Sequence, residues 1–197
     1  TDQIQSVWIM TANHFSITKY ETDPPVFIST AGGSWATADD HVVLNWEFDT
    51  SSPEKVRTQT NGNFLQSDDN IQWENTLWRR IDKGQPGALQ GAWLITERKR
   101  EGVISERVPG VRRTMKILSG TQCQWIAYNI ETKEFFGTGG GSYQTVNGQY
   151  TEKIEYFSRD NSRVGERLQF DSALPQGKWH HSGKNSKGKP IYEVWSK

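Results

Sequence analysis

Residues 27–35 read Phe-Ile-Ser-Thr-Ala-Gly-Gly-Ser-Trp, and residues 135–143 read Phe-Phe-Gly-Thr-Gly-Gly-Gly-Ser-Tyr. Each is followed by a polar turn, a strand-like run ending Trp46-Glu47-Phe48 or Ile154-Glu155-Tyr156, and a short polar loop. From Phe27/Phe135 to Val56/Val164 the two stretches keep one register, 108 residues apart, without a gap. Outside that window the match continues with insertions and pairs Trp8 with Trp125, Trp73 with Trp179, and Leu77-Trp78 with Val194-Trp195. A repeat of this size reads as two copies of one domain rather than a solenoid. The expected division is 1–82 and 88–197, with a seam at Asp82-Lys83-Gly84-Gln85-Pro86-Gly87, which is polar and rich in turn residues. Features common to both copies point to folding; polar groups present in one copy only point to function.

Composition narrows the class. Only 34% of residues are hydrophobic, but nine Trp, eight Phe and six Tyr supply large buried surfaces. Aromatic and Gly content with frequent Thr, Ser and Asn is a β signature. The 23 basic and 23 acidic residues cancel, which removes any global electrostatic case for nucleic acid. The run Glu97-Arg98-Lys99-Arg100-Glu101 reads as a solvated strand end. Cys123 is the single cysteine, so no intrachain disulfide is available. No run approaches the roughly 18 apolar residues of a membrane helix. The start at Thr-Asp-Gln, without an initiator Met or signal peptide, reads as a mature or trimmed form.

No window carries apolar residues at helical spacing beyond a turn or two. Strands are expected near 91–99, 111–118, 122–129, 135–144, 149–158, 163–171, 177–182 and 190–196. Turn residues separate them: Pro109-Gly110, Ser119-Gly120, Asn147-Gly148, Arg159-Asp160-Asn161, Pro175-Gln176-Gly177 and Lys187-Gly188. Asn-Gly between alternating runs is a type I′ hairpin signal. Eight short antiparallel strands fit an all-β up-and-down barrel, which closes on itself and so has no free edges. The first copy lacks a counterpart of residues 91–121, about two strands, so it reads as an incomplete version of the same unit. The glycines at 137 and 139–141 lack the Lys-Ser/Thr ending of a phosphate loop and fit a bent strand or a close backbone approach.

Gly91-Ala92-Trp93, opening the first strand of the second copy, resembles the Gly-x-Trp signature of lipocalin-like (calycin) barrels. An ordered series follows it: Arg113-Thr-Met-Lys116-Ile, Gln124-Trp125-Ile-Ala-Tyr128-Asn, Phe136 to Tyr143, Tyr150-Thr-Glu152, Lys178-Trp179-His180-His181-Ser-Gly183 and Glu193-Val-Trp195. With it the chain resembles a group of lipocalin-like proteins of Bacteroidetes-type bacteria that have no settled activity. The resemblance covers 91–197 well and 8–80 weakly. It implies a periplasmic or extracellular protein whose barrel holds a small ligand. It does not supply a site.

The candidate site comes from polar asymmetry. Period-2 alternation places Tyr150, Glu152, Ile154 and Tyr156 on one face, against Val42, Leu44, Trp46 and Phe48 in the first copy. A carboxylate inside a barrel needs a cationic or hydroxyl partner. Arg113 and Lys116 are the candidates, because they lie on strands assigned to the second copy alone. Adjacent His180 and His181 point to opposite faces and do not share a metal. With Trp179 inward, His181 is also inward and His180 outward. Glu193, two residues from Trp195, shares the face of that tryptophan. No metal-ligand spacing, nucleophile elbow or cofactor motif stands out.

The expected lining set is Arg113, Lys116, Trp125, Tyr128, Tyr143, Tyr150, Glu152, His181 and Glu193. The leading reading is a non-enzymatic protein that binds a small, partly apolar ligand with an anionic or polar group: aromatic walls supply most of the affinity, Arg113 or Lys116 meets the anionic group, and the tyrosines and Glu152 hydrogen-bond. One alternative is an enzyme with Glu152 or His181 as general acid or base, or with Glu152 and Glu193 as a glycosidase-type pair. The other is a protein-interaction module whose interiors are filled.

Overall fold

A computed structural model describes residues 3–39, 41–67, 69–82, 87–100, 102–185 and 188–197, without the side chain of Arg100. Residues 83–86 of the expected seam, Glu101 of the charged run and Lys187 of the last turn lie outside them. The chain is all-β: the described residues hold seventeen strands and, besides these, only three short 3₁₀ turns.

The first half begins with β1 (Ile4–Met10), β2 (His14–Thr22), β3 (Pro25–Ala38), β4 (His41–Asp49) and β5 (Gln59–Gly62), an antiparallel meander in one sheet. β6 (Phe64–Ser67), β7 (Asn70–Trp73) and β8 (Thr76–Arg79) form a separate three-stranded sheet. The space between them is packed with rings. Trp8 lies 5.5 Å from Phe64, 5.1 Å from Trp78 and 6.2 Å from Trp73, centroid to centroid.

The second half is a closed barrel. β9 (Gly91–Arg100), with β10 (Val103–Glu106) as a hairpin extension, is followed by β11 (Arg112–Leu118), β12 (Gln122–Asn129), β13 (Phe135–Val146) and β14 (Gln149–Phe157). β15 (Arg167–Ala173), β16 (Trp179–Lys184) and β17 (Pro190–Ser196) complete it. Each barrel strand pairs with the next, and β17 pairs back onto β9, so eight antiparallel strands close without a free edge. This is the architecture of a lipocalin-like barrel. The Asn147-Gly148 turn joins β13 to β14 with positive φ at both residues, 50° and 76°, as a type I′ turn requires.

One end of the barrel is solid. Trp93, Leu118, Cys123, Tyr143, Tyr150, Trp179 and Trp195 form a continuous core there, sealed by Leu89. The Trp93 indole N–H donates to the Leu89 carbonyl at 2.8 Å. Rings of this size bury roughly 150–250 Å² each, about 4–6 kcal/mol of transfer free energy apiece at most.

The ladder registers of the two halves match further than the sequence comparison indicated. Trp8 faces Ile17 as Lys116 faces Trp125, and Gly32 faces Phe48 as Gly140 faces Tyr156. The same offset therefore runs unbroken from β1/β11 through β4/β14. This corrects two expectations. Trp8 is equivalent to Lys116 rather than Trp125, and the first half has a strand in the place of β11, so within 91–121 it lacks counterparts of β9 and β10.

The glycine pairs explain a further departure. At Gly32/Gly33 and Gly140/Gly141 the ladder shifts, and Glu47 and Glu155 bulge out of register. A Cβ on Gly140 would sit 2.3 Å from the Cys123 carbonyl, and one on Gly32 2.4 Å from the Phe15 carbonyl. The bulge reverses the alternation, so Tyr156 does not share the inner face of Tyr150, Glu152 and Ile154. It packs outside, 5.0 Å from Tyr20.

The first sheet lies against this outer wall with reciprocal contacts. Tyr128 donates to Glu47 at 2.6 Å, and Tyr20 to Glu155 at 3.2 Å. Phe48 packs on Tyr128 as Tyr20 packs on Tyr156, and Phe27 stacks on its equivalent Phe135 at 6.2 Å. Such pairing of like with like is the signature of an approximate two-fold axis.

Candidate functional site

Above the solid end the barrel is hollow. The cavity measures about 1330 Å³ and opens where β11, β13, β15 and β17 begin. Its walls include Trp125, Ile154, Phe157, Leu168 and Phe170.

A polar layer separates the walls from the aromatic floor. Lys116 Nζ lies 2.6 Å from Glu152 Oε1, and the Tyr150 hydroxyl donates to the same oxygen at 2.7 Å. Both ionic side chains are buried, at 7% and 6% exposure. The ammonium also sits over the Tyr150 and Trp179 rings, 4.9 and 5.1 Å from their centroids. Burial pushes the Glu152 carboxyl up, but the Lys116 charge outweighs it and holds the group below the usual carboxylate range.

The second part spans three adjacent strands. Glu193 on β17 faces Arg98 on β9 and His181 on β16. Arg98 Nη2 donates to Glu193 Oε1 at 2.5 Å. His181 Nδ1 lies 3.7 Å from Glu193 Oε2, beyond hydrogen-bond reach. Burial lowers the His181 pKa, assisted by the Lys116 charge, so the imidazole is neutral. Burial pushes Glu193 up, yet the carboxyl is held down at about 2 by its neighbours. A neutral imidazole at 3.7 Å contributes little to this; the contact with the Arg98 guanidinium dominates.

His181 is the anomaly. It is 1% exposed, lines the cavity, and neither ring nitrogen has a hydrogen-bond partner. Phe170, Trp179 and Tyr150 surround it with ring centroids at 4.1, 5.3 and 5.7 Å. Leaving a buried polar group unmade costs about 1–3 kcal/mol. By contrast His180, on the outer side, is paired with the Tyr192 hydroxyl at 2.6 Å.

Of the residues singled out from sequence, Arg113, Lys116, Trp125, Glu152, His181 and Glu193 line the cavity. Tyr143 and Tyr150 lie beneath it in the packed floor, where Tyr143 donates to the Ser119 carbonyl at 2.6 Å. Tyr128 is a correction: it alternates with Trp125 and Ala127 onto the outer face and serves the contact with the first sheet. Arg113 lines the rim as expected, but its role is corrected: its guanidinium turns to Glu47 at 2.9 Å and Lys116 pairs with Glu152, so each of the two cations expected to meet a ligand anion already faces a carboxylate. Arg98 was missed. The ladder shift at Val194/Trp195 leaves Thr96 unpaired, which turns Arg98 inward from a run that reads as solvated. The only sequence signal for it was the need of Glu193 for a cation. Among the described residues no cluster of three or more His, Cys, Asp or Glu could hold a metal, and no helix is long and apolar enough to cross a membrane.

Compared with known proteins, the chain matches no family model and no curated sequence. The site has to be interpreted from its own chemistry.

Proposed function

We propose that the barrel is a non-catalytic binding site for a small, partly apolar ligand. The observation that carries this reading is the hollow upper barrel, a cavity of about 1330 Å³ walled by Trp125, Ile154, Phe157, Leu168 and Phe170. Apolar and aromatic walls of this kind bury the body of a small ligand, and a few polar groups orient it. Catalysis by Glu152 or Glu193 is disfavoured, because a general acid or base near neutral pH needs a carboxyl raised toward 7, and both are held low. The periplasmic or extracellular setting rests on the lipocalin-like resemblance of residues 91–197. The matched registers support reading the chain as one β unit used twice.

The test uses the neutral fluorescent probe N-phenyl-1-naphthylamine with wild type and Ala127→Trp, which places an indole in the cavity from β12. Wild type is expected to enhance the probe saturably, and the filled variant to lose the enhancement with unchanged circular dichroism. Equal enhancement by both proteins, or none by wild type, overturns the proposal.

A further inference from the structure

The chain as a whole is electrically balanced, but its cavity is not. Nine Lys and Arg residues line it, against two carboxylates, Glu152 and Glu193. The deep cations are spoken for: Lys116 by Glu152 and Arg98 by Glu193. At the mouth, Lys99, Arg112, Arg159 and Lys189 form no ion pair with a described carboxylate.

Two of these four are held in place. The Arg112 guanidinium stacks 4.4 Å above the Phe136 ring. Arg159 donates from Nε and Nη2 to the Phe136 carbonyl at 3.0 and 2.5 Å and lies 6.0 Å from the Trp125 ring. A Cβ at Gly137 would lie 2.5 Å from Arg159 Nε, so the glycine leaves the room this side chain occupies. A cation anchored by a backbone carbonyl or a ring has already lost part of the rotamer freedom that binding an anion would otherwise take.

We propose that the ligand is an amphiphilic anion, with a carboxylate or phosphate at the mouth between Arg112 and Arg159 and its apolar body along Trp125, Phe157 and Phe170. This rests on the cavity being a binding site, and adds the ligand's charge and direction. The neutralised inner layer cannot hold the anion, because Lys116 and Arg98 already face carboxylates. The head therefore stays at the mouth, and the apolar end goes down. Fixed cations around a low-dielectric opening also focus their field on an approaching anion.

The experiment measures displacement of N-phenyl-1-naphthylamine by laurate and by dodecan-1-ol, which share a chain and differ in the head. Laurate is expected to displace at a concentration about tenfold lower or better, since charge-assisted hydrogen bonds are roughly twice as strong as neutral ones. In Arg112→Gln/Arg159→Gln the advantage should collapse to within about threefold, and 1 M NaCl should reduce it in wild type. Arg167→Gln, an exposed cation outside the cavity, should leave it unchanged. Equal displacement by acid and alcohol, or displacement by neither while the probe still binds, overturns the anion proposal and leaves the binding reading intact. Failure of the probe itself overturns the binding reading. Co-sedimentation with phosphatidylglycerol vesicles that laurate does not compete, without displacement by monomeric laurate, assigns the basic mouth to a lipid surface and overturns the proposal.

Discussion

Replacing Lys116 by Met removes the cation on which Glu152 depends and leaves a carboxylate at 6% exposure above an aromatic floor. At 2.6 Å and an effective dielectric of about 20, the attraction between the two charges is about 6 kcal/mol. Desolvation of two ions cancels most of it, several kcal/mol each. The pair is thus near neutral as a unit and strongly unfavourable when halved. Lys116→Met and Glu152→Leu should each destabilise the barrel by about 3–5 kcal/mol. The double variant, which resembles the Trp8 and Leu44 of the first half, should cost far less than the sum. The assay is a double-mutant cycle by urea unfolding, followed by far-UV circular dichroism with the transition checked by a second probe. A coupling energy below about 1 kcal/mol would refute the argument, since the two charges would then be solvated independently of one another.

Further outcomes follow from the packing of the two halves. His181 and His14 are both held neutral by burial. Below about pH 6.5 the unfolded chain takes up protons that the folded chain refuses, so stability falls on acidification, by up to about 1.4 kcal/mol per pH unit per histidine. Urea midpoints at pH 7.5, 6.5 and 5.5 should fall in that order, less steeply in His181→Gln; a flat series contradicts the burial argument. A second loss, from Glu193 and Glu152, should set in as pH drops from 4.5 toward about 2. Gly140→Ala places a methyl against the Cys123 carbonyl and the Tyr156 hydroxyl, and overpacking against backbone should cost at least about 1–3 kcal/mol. A melting temperature within about 1 °C of wild type would count against the bulge geometry. Burial and the Glu47 charge hold the Tyr128 hydroxyl protonated. Tyr128→Phe should therefore lose about 1.5–3 kcal/mol, the worth of a hydrogen bond to a charged group, while the neutral probe still binds. A variant as stable as wild type would show that Glu47 finds water instead.

The fold was legible because its signals are local. Turn residues at short intervals, period-2 alternation and the repeated Gly-Gly stretch each depend on a few neighbouring residues, and together they specify a β meander that closes. His181 and Glu193 could be placed inside from alternation relative to Trp179 and Trp195, and Glu152 from the apolar face that Val42 and Leu44 form at the matching positions of the first half. Which side chains face the cavity nearer the mouth was not readable, because a single bulge inverts every position beyond it. One at Glu155 sends Tyr156 out, and one at Thr96 brings Arg98 in. Bulges arise from close approach between strands, which no local pattern records. The division of work among the cations was likewise hidden. Lys116 and Arg113 lie three residues apart on one strand, but only the folded chain assigns one to Glu152 inside and the other to Glu47 on the neighbouring sheet. The sequence by itself determined an all-β chain in which the Gly-Gly stretch and the strand after it recur. The tertiary structure alone decided that one half is filled with rings and the other is hollow, since that depends on which residues meet across a barrel from strands far apart in the chain.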